Sequence, residues 1–348
     1  GENIIERGPA RFFPYSRDLK AFIRRAVRAA QEGRDGAADI GKASGDITQA
    51  HAIAVGDFLV SENIERTAID VIGFHGHTIL HRPRKNLETA GRSWQIGDGR
   101  TLAAETGIDV VAGFHDADIS QGGEGAPLDA VYYAALVREL EPDGAVGVVN
   151  FDEQGKVCFI PRSGGDLDVV CFDCGPGLGL LERWMEMKTG ERPADLAAIA
   201  RAGKVHSEVL RLMLLNPYLR RKPPKALDRV EFKLDPLLQM SAADGAATLT
   251  ALAAACVRAN VALLPEKPRD WIVTGEGRRN SALLEAVGKA LDGEVHKADS
   301  LGWRGDAIEA ESVAYLAVRA LRRLPFTFPR TTRAPRPLSG GTLWRAPV

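Results

Sequence analysis

Apolar residues recur at helical spacing over 18–30, where Leu19, Phe22, Ile23 and Val27 share one face and Arg and Lys take the other. That pattern predicts an amphipathic helix. A second helix is predicted over 46–61, with Ile47, Ala50, Ile53, Val55 and Phe58 at its apolar positions. The run AIDVIGFHGHTIL at 68–80 is β-branched and apolar before it meets a Gly-containing turn, and it predicts a buried strand with its exit loop. The pattern then repeats: a helix at 100–106, a strand at 108–114 and the loop SQGGEGAP at 120–127.

Strands are next predicted at 145–151 and 157–161 around the polar DEQGK, and at 167–173 ahead of CGPGLG and a helix at 180–188. The segment 195–215 is helical in pattern. Pro223 and Pro224 bar any helix through the basic cluster 220–225, which reads as a solvated face. An Ala-rich helix is predicted over 243–263, a strand over 271–275 leading into EGRRN, and a last strong helix over 306–324. From 325 the chain is Pro/Arg-rich and reads as irregular. Helices alternating with buried strands specify an α/β protein.

Composition narrows the field. A length of 348 residues is a prior of about two domains. Lys and Arg total 45 against 46 Asp and Glu, a net charge of −1, which argues against a nucleic-acid coat or an electrostatic membrane anchor. Four Cys do not make a disulfide framework at this length, so buried, reduced cysteines are expected. No apolar run approaches the ~18 residues of a membrane span, and the first residues lack an apolar signal core, so a cytoplasmic protein is expected.

The candidate chemistry lies in Gly-rich turns that follow buried strands: Gly122-Gly123-Glu124-Gly125, Gly175-Pro176-Gly177 and Gly275-Glu276-Gly277. Glycine allows close backbone approach, and exposed N–H groups at such turns suit phosphate, although structural Gly-rich turns are common. No Gly-Lys-Ser/Thr follows any of them, and GxGxxG with a downstream acid is absent. The turns therefore suggest a nucleotide site of another kind.

Taken in order, VIGFHGHTILHRP, WQIGDGRTLAAETGIDVV, DADISQGGEGAPL, FDCGPG, PPKALDR, GRRN and DAIEAESVAYLAVR resemble the motifs of the anhydro-N-acetylmuramic acid kinases. These belong to the sugar kinase, actin and heat-shock chaperone superfamily, with levoglucosan kinase among the relatives. The resemblance runs from about Phe12 to Val348. It implies two ribonuclease-H-like α/β lobes around an interdomain cleft: a first lobe at 1–128, completed by 325–348, and a second at 129–324. It implies ATP and Mg2+, a homodimer, and cleavage of the sugar's 1,6-anhydro bridge by water with phosphoryl transfer to the freed 6-hydroxyl. It also implies sugar contacts from His75, Gln95, Asp98, Asp118 and Glu309. Nucleotide contacts would come from Asp173, Gly175, Gly177, Gly275, Gly277 and Asn280, with Asp173 also holding the metal through water.

The chain departs from the family pattern at chemically telling places. Where the family reads approximately Asp-Phe-Arg, with the Asp as the base that activates water, this chain has Gly113-Phe114-His115. His115 and Asp116 are the candidate substitutes, by adjacency and, for His115, by titration near neutrality. The family opens with a Ser-Gly-Thr-Ser-x-Asp-Gly phosphate hairpin, and this chain begins just after the place it would take. The family's Asn-x-Gly-Gly-x-x-Asn turn reads Asn150-Phe151-Asp152-Glu153-Gln154-Gly155, its GPG-Asn ends in Leu178, and its GGG contains Glu276. Catalytic impairment, leaving a sugar- or nucleotide-binding protein, is therefore a second reading, and a related anhydrosugar kinase a third.

Two further patterns have blander accounts. His75, His77 and His81 have metal-ligand spacing, but the family's sugar-side loop accounts for two of them. Cys171-x-x-Cys174 stands without a second pair and reads as buried packing.

Overall fold

The computed structural model describes residues 2–4, 6–83 and 91–347. In chain order its main elements begin with α1 (Arg17–Gln31), α2 (Ala38–Ser61), β1 (Ile72–Phe74), β2 (His77–Arg82), β3 (Arg92–Ile96), α3 (Gly99–Thr106), β4 (Val110–Ala112) and α4 (Asp116–Ser120). They continue with α5 (Ala130–Arg138), β5 (Val146–Phe151), β6 (Gln154–Ile160), β7 (Val170–Pro176), α6 (Leu178–Thr189), α7 (Leu196–Ala202), α8 (Ser207–Leu214) and α9 (Ala242–Val261). Last come β8 (Asp270–Thr274), α10 (Ser281–Ala290), β9 (Glu294–Lys297), α11 (Ile308–Leu321) and β10 (Thr342–Trp344).

The chain divides into two compact units, one of 1–132, 309–328 and 333–348, the other of 133–308 and 329–332. The final helix α11 thus groups with the first unit, whereas the family resemblance placed everything from 129 to 324 in the second lobe.

In the first unit, α1 forms as its spacing requires. Ser16 caps it by accepting from Leu19 N at 3.1 Å, and Leu19, Ile23, Ala26 and Ala30 are buried. β1 pairs in parallel with β4, and β10 adds to the other side of β4 in antiparallel register, Leu343 opposite Val111. The tail that reads as irregular therefore supplies a strand. The expected exit loop after β1 is instead an antiparallel hairpin of β2 and β3.

The second unit has a five-stranded sheet in the order β7-β6-β5-β8-β9. β5, β6 and β7 form an antiparallel meander, and β8 and β9 join in parallel. A three-strand meander extended by two parallel strands is the arrangement expected of a ribonuclease-H-like lobe. Helix α9 lies within the core, burying Leu249, Leu252, Cys256 and Val257. The predicted helix at 195–215 is two helices, α7 and α8, parted at Gly203. A Cβ at Gly203 would stand 2.0 Å from the Ala243 carbonyl oxygen, so close approach to the start of α9 requires glycine there.

The cysteine expectation is met in part. Cys174 and Cys256 are free and buried, but Cys158 and Cys171 form a disulfide. They are direct partners across the β6–β7 ladder, so the sheet register brings their side chains together. No helix among the described residues is long and apolar enough to cross a membrane.

Candidate active site

In the first unit, buried β4 ends at Ala112 and the chain turns at Gly113, whose φ of +72° is left-handed backbone that favours glycine. A Cβ built on Gly113 would meet Asp116 Oδ2 at 2.6 Å, so the Asp116 carboxylate occupies the space a side chain at 113 would enter. Asp116 is exposed at the first residue of α4, and partial desolvation holds its carboxyl above the ordinary value of 3.8.

His115 is buried, and both ring nitrogens have close neighbours. Nδ1 lies 2.6 Å from the Gly125 carbonyl oxygen, which can only accept, so that nitrogen carries the proton. In neutral His115, Nε2 is then an acceptor, and His75 Nε2–H donates to it across 2.9 Å. Asp118 is buried as well. Its Oδ2 accepts from Gly125 N at 2.7 Å, and its carboxylate fills the space beside Gly123. These contacts shape the 120–127 loop from inside. Glu124 in that loop is buried and paired with Arg333 at 3.2 Å.

The other sugar-side candidates have local partners of their own. Gln95 on β3 donates from Nε2 to Thr78 Oγ1 at 3.0 Å and Ser93 Oγ at 2.8 Å. Asp98 caps α3 by accepting from Thr101 N at 2.5 Å. Glu309 is exposed in the first turn of α11, where, after burial, it is the second influence raising the Tyr15 phenol. The three histidines do not converge: His75 faces His115, while His81 Nδ1 approaches Ser93 Oγ at 3.4 Å. Among the described residues, one group of three or more side chains has ligand atoms close enough for a metal ion, and it is the edge cluster Asp270, Glu294 and His296.

In the second unit, the Gly-rich turns gather around the β5–β6 hairpin. Leu178 N donates to the Asp152 carbonyl oxygen at 2.7 Å and Gly179 N to that of Glu153 at 3.0 Å. A Cβ on Gly177 would lie 2.4 Å from the same Asp152 oxygen, and one on Gly277 2.3 Å from the Phe151 Cβ. Gly275, at φ +71°, lies against the Asp152 side chain, whose Oδ1 accepts from Glu276 N at 2.8 Å. Gly175 packs on Cys256 of α9. Asn280 caps α10 by accepting from Leu283 N at 3.0 Å, while its Nδ2 is buried without an acceptor in the structure.

Asp173 does not fit the metal-binding role implied for it. It is buried at 5% exposure, its Oδ2 accepts from Leu227 N at 2.7 Å, and its own carbonyl accepts from the Tyr218 hydroxyl at 2.7 Å. Lys225 stands in the same cluster. Its Nζ donates to the Tyr218 carbonyl at 3.2 Å, and burial lowers its pKa to about 8. Asp173 and Lys225 together tie 218–227 to β7.

The family description "Anhydro-N-acetylmuramic acid kinase" matches residues 2–346. The chain belongs to the anhydro-N-acetylmuramic acid kinase family. A relative of that name from Rhodospirillum rubrum is 40% identical over 346 residues, covering 99% of this chain and 88% of its own. Another, from Nitrobacter winogradskyi, is 39% identical over 351 residues, covering 99% and 93%. Among solved structures, the ADPNP-bound activator of 2-hydroxyisocaproyl-CoA dehydratase from Clostridium difficile is similar at TM-score 0.35 and 18% identity, covering 66% of this chain and 88% of that one. A glucokinase from Streptomyces griseus with glucose and AMPPNP is similar at TM-score 0.35 and 12% identity, covering 76% and 86%.

Against the anhydro-N-acetylmuramic acid kinase pattern, the structure brings together Gly113, His75, His115, Asp116 and Asp118 in one unit, and Gly177, Gly275 and Gly277 around the β5–β6 hairpin in the other. Sequence reasoning missed the Asp152 side chain on Glu276 N, the Glu124–Arg333 pair and the buried Lys225. Only the first had a visible signal, an acid where the family pattern has glycine.

Proposed function

We propose that this chain performs its family's reaction: water opens the 1,6-anhydro bridge of anhydro-N-acetylmuramic acid, and ATP phosphorylates the freed 6-hydroxyl, in cytoplasmic recycling of cell-wall sugar. Asp116 serves as the base that the family places at 113. The observation that carries this is the Asp116 carboxylate oxygen 2.6 Å from where a Gly113 Cβ would stand. An exposed carboxylate with a raised pKa can meet a ligand and accept a proton.

In the reaction, Asp116 takes a proton from water as the water oxygen bonds to the anomeric carbon and the bond from that carbon to the bridging oxygen breaks. The released 6-oxygen bonds to the γ-phosphorus, and the bond from that phosphorus to the leaving ADP breaks. Magnesium enters with ATP as part of the substrate. His75 and the loop that His115 and Asp118 hold flank the base, and Asn280 offers an unmet donor in the second unit. The family's homodimer is part of this reading, and sedimentation of the purified chain tests it.

A second reading, a sugar-binding protein without the chemistry, is favoured by Gly113 itself, which has no side chain to accept a proton.

The deciding experiment is mass-spectrometric detection of N-acetylmuramic acid 6-phosphate made from the anhydrosugar with Mg-ATP. The unaltered chain is expected to form product, and Asp116→Asn to lower the rate by about 10²–10⁴-fold. No product from the unaltered chain, with the sugar still raising its melting temperature, selects the second reading.

A further inference from the structure

Backbone N–H groups at a tight glycine turn form a concavity that attracts anions. In the second unit such a turn exists at Gly275-Glu276-Gly277, and it is already filled from within. Asp152 Oδ1 accepts from Glu276 N at 2.8 Å, and a Cβ on Gly275 would stand 2.6 Å from the same oxygen. An anion drawn to the Glu276 N–H would have to displace this carboxylate.

Nearby charge does not offset it. Arg278, the buried cation of this segment, already donates to Asp299 at 2.8 Å and Asp306 at 2.6 Å. Arg229 is paired with Glu153, next to Asp152. A phosphate entering here meets an anion on its donor and finds these guanidiniums engaged.

Recognition of an uncharged group is a different matter. Asn280, which ends the same segment and is 7% exposed, keeps its Nδ2 without an acceptor. A buried donor left open is a cost that a hydroxyl, carbonyl or ring nitrogen of a ligand would remove. The segment therefore keeps an open donor that a neutral group would satisfy, while its Glu276 N–H is already taken by a carboxylate.

We propose that Asp152 determines the ligand preference of the second unit: it acts as an internal competitor of phosphate, so the unit favours a nucleoside over the corresponding phosphorylated nucleotide. The inference rests on the reading that nucleotide is the ligand of these turns, and it makes ATP a weakly held substrate.

Calorimetric titration of the whole chain with adenosine and, separately, with Mg-ADPNP tests it. Asp152→Asn keeps an acceptor for Glu276 N and removes the charge, while Asp152→Gly removes both. The unaltered chain is expected to bind adenosine at least as tightly as Mg-ADPNP. Asp152→Asn is expected to bind Mg-ADPNP roughly tenfold or more tightly than the unaltered chain, with adenosine unchanged, and Asp152→Gly to gain at least as much. Equal Mg-ADPNP affinity in all three chains, including no measurable binding in any, overturns the proposal, as does a parallel gain for adenosine. A gain in affinity with no sugar phosphate formed by any chain leaves this inference standing and removes the kinase reading.

Discussion

His75 and His115 meet Nε2 to Nε2 at 2.9 Å, while the other nitrogen of His115 donates to the Gly125 carbonyl. The buried imidazole thus joins the segment before β2 to the Gly-rich loop. His115→Ala leaves a buried carbonyl without its donor and is expected to lower stability by about 1–3 kcal/mol. His75→Ala, at a half-buried ring, is expected to cost less. Denaturant titration of the two variants checks the order, and a larger loss for His75→Ala contradicts it.

Restoring the family's carboxylate is expected to fail by itself. Gly113→Asp must place a side chain at φ +72° and press it against Asp116. Strain and like charge both oppose it. The double variant Gly113→Asp, Asp116→Ala frees the space, so its activity is expected to exceed that of Gly113→Asp alone. Additive rates across this pair in a double-mutant cycle would show that the two positions do not share one site.

The pH profile follows from the direction of the Asp116 shift. As a base it works ionised, and partial desolvation moves its pKa upward from 3.8. Turnover should therefore fall on acidification with a midpoint above the ordinary carboxylate value. That limb should be absent from the residual activity of Asp116→Asn; an unchanged limb in the variant assigns it to another group.

Lys225, whose shift is downward, gives a stability signature. Burial lowers its pKa from 10.5 to about 8, so between those values the unfolded chain holds a proton that the folded chain has lost. Stability contributed by this group therefore rises with pH across that window, by up to about 3 kcal/mol. Denaturation at pH 7.5 and pH 10 should show this gain relative to Lys225→Met, and parallel changes in the two proteins would refute it.

Arg333 holds a left-handed φ of +59° while its guanidinium pairs with buried Glu124. Replacement by Ala loses the ion pair and keeps the strain, whereas Gly loses the pair and relieves it. Arg333→Gly should therefore be more stable than Arg333→Ala by about 1 kcal/mol. Equal melting curves would mean that the turn relaxes by other means.

Local patterns predicted what local forces build. The stripe of Leu19, Phe22, Ile23 and Val27, of which the first and third are buried and the others half-buried, the β-branched run before Phe74 and the Ala-rich α9 all appear because burial of a periodic face decides them. Contacts between distant residues were not legible. The Cys158–Cys171 bond depends on the register of two strands, and β10 pairs with β4 despite about 230 residues of separation in sequence. At the site, Gly113 and Glu276 were visible as departures from the family pattern. The local tasks of Asp118, Asp98 and Asp173 were visible only through the backbone N–H groups they accept from.

The small sheet of the first unit has a consequence for how the protein is made. Its β1 and β4 are among the earlier residues to leave the ribosome, yet their partner β10 is at 342–344. The second unit, contiguous over 133–308 apart from the short return of 329–332, can assemble its whole sheet first. Domains fold as units during synthesis. The half that starts first therefore finishes last, and until β10 arrives the nascent chain carries an open β4 edge to which a neighbouring nascent chain can pair.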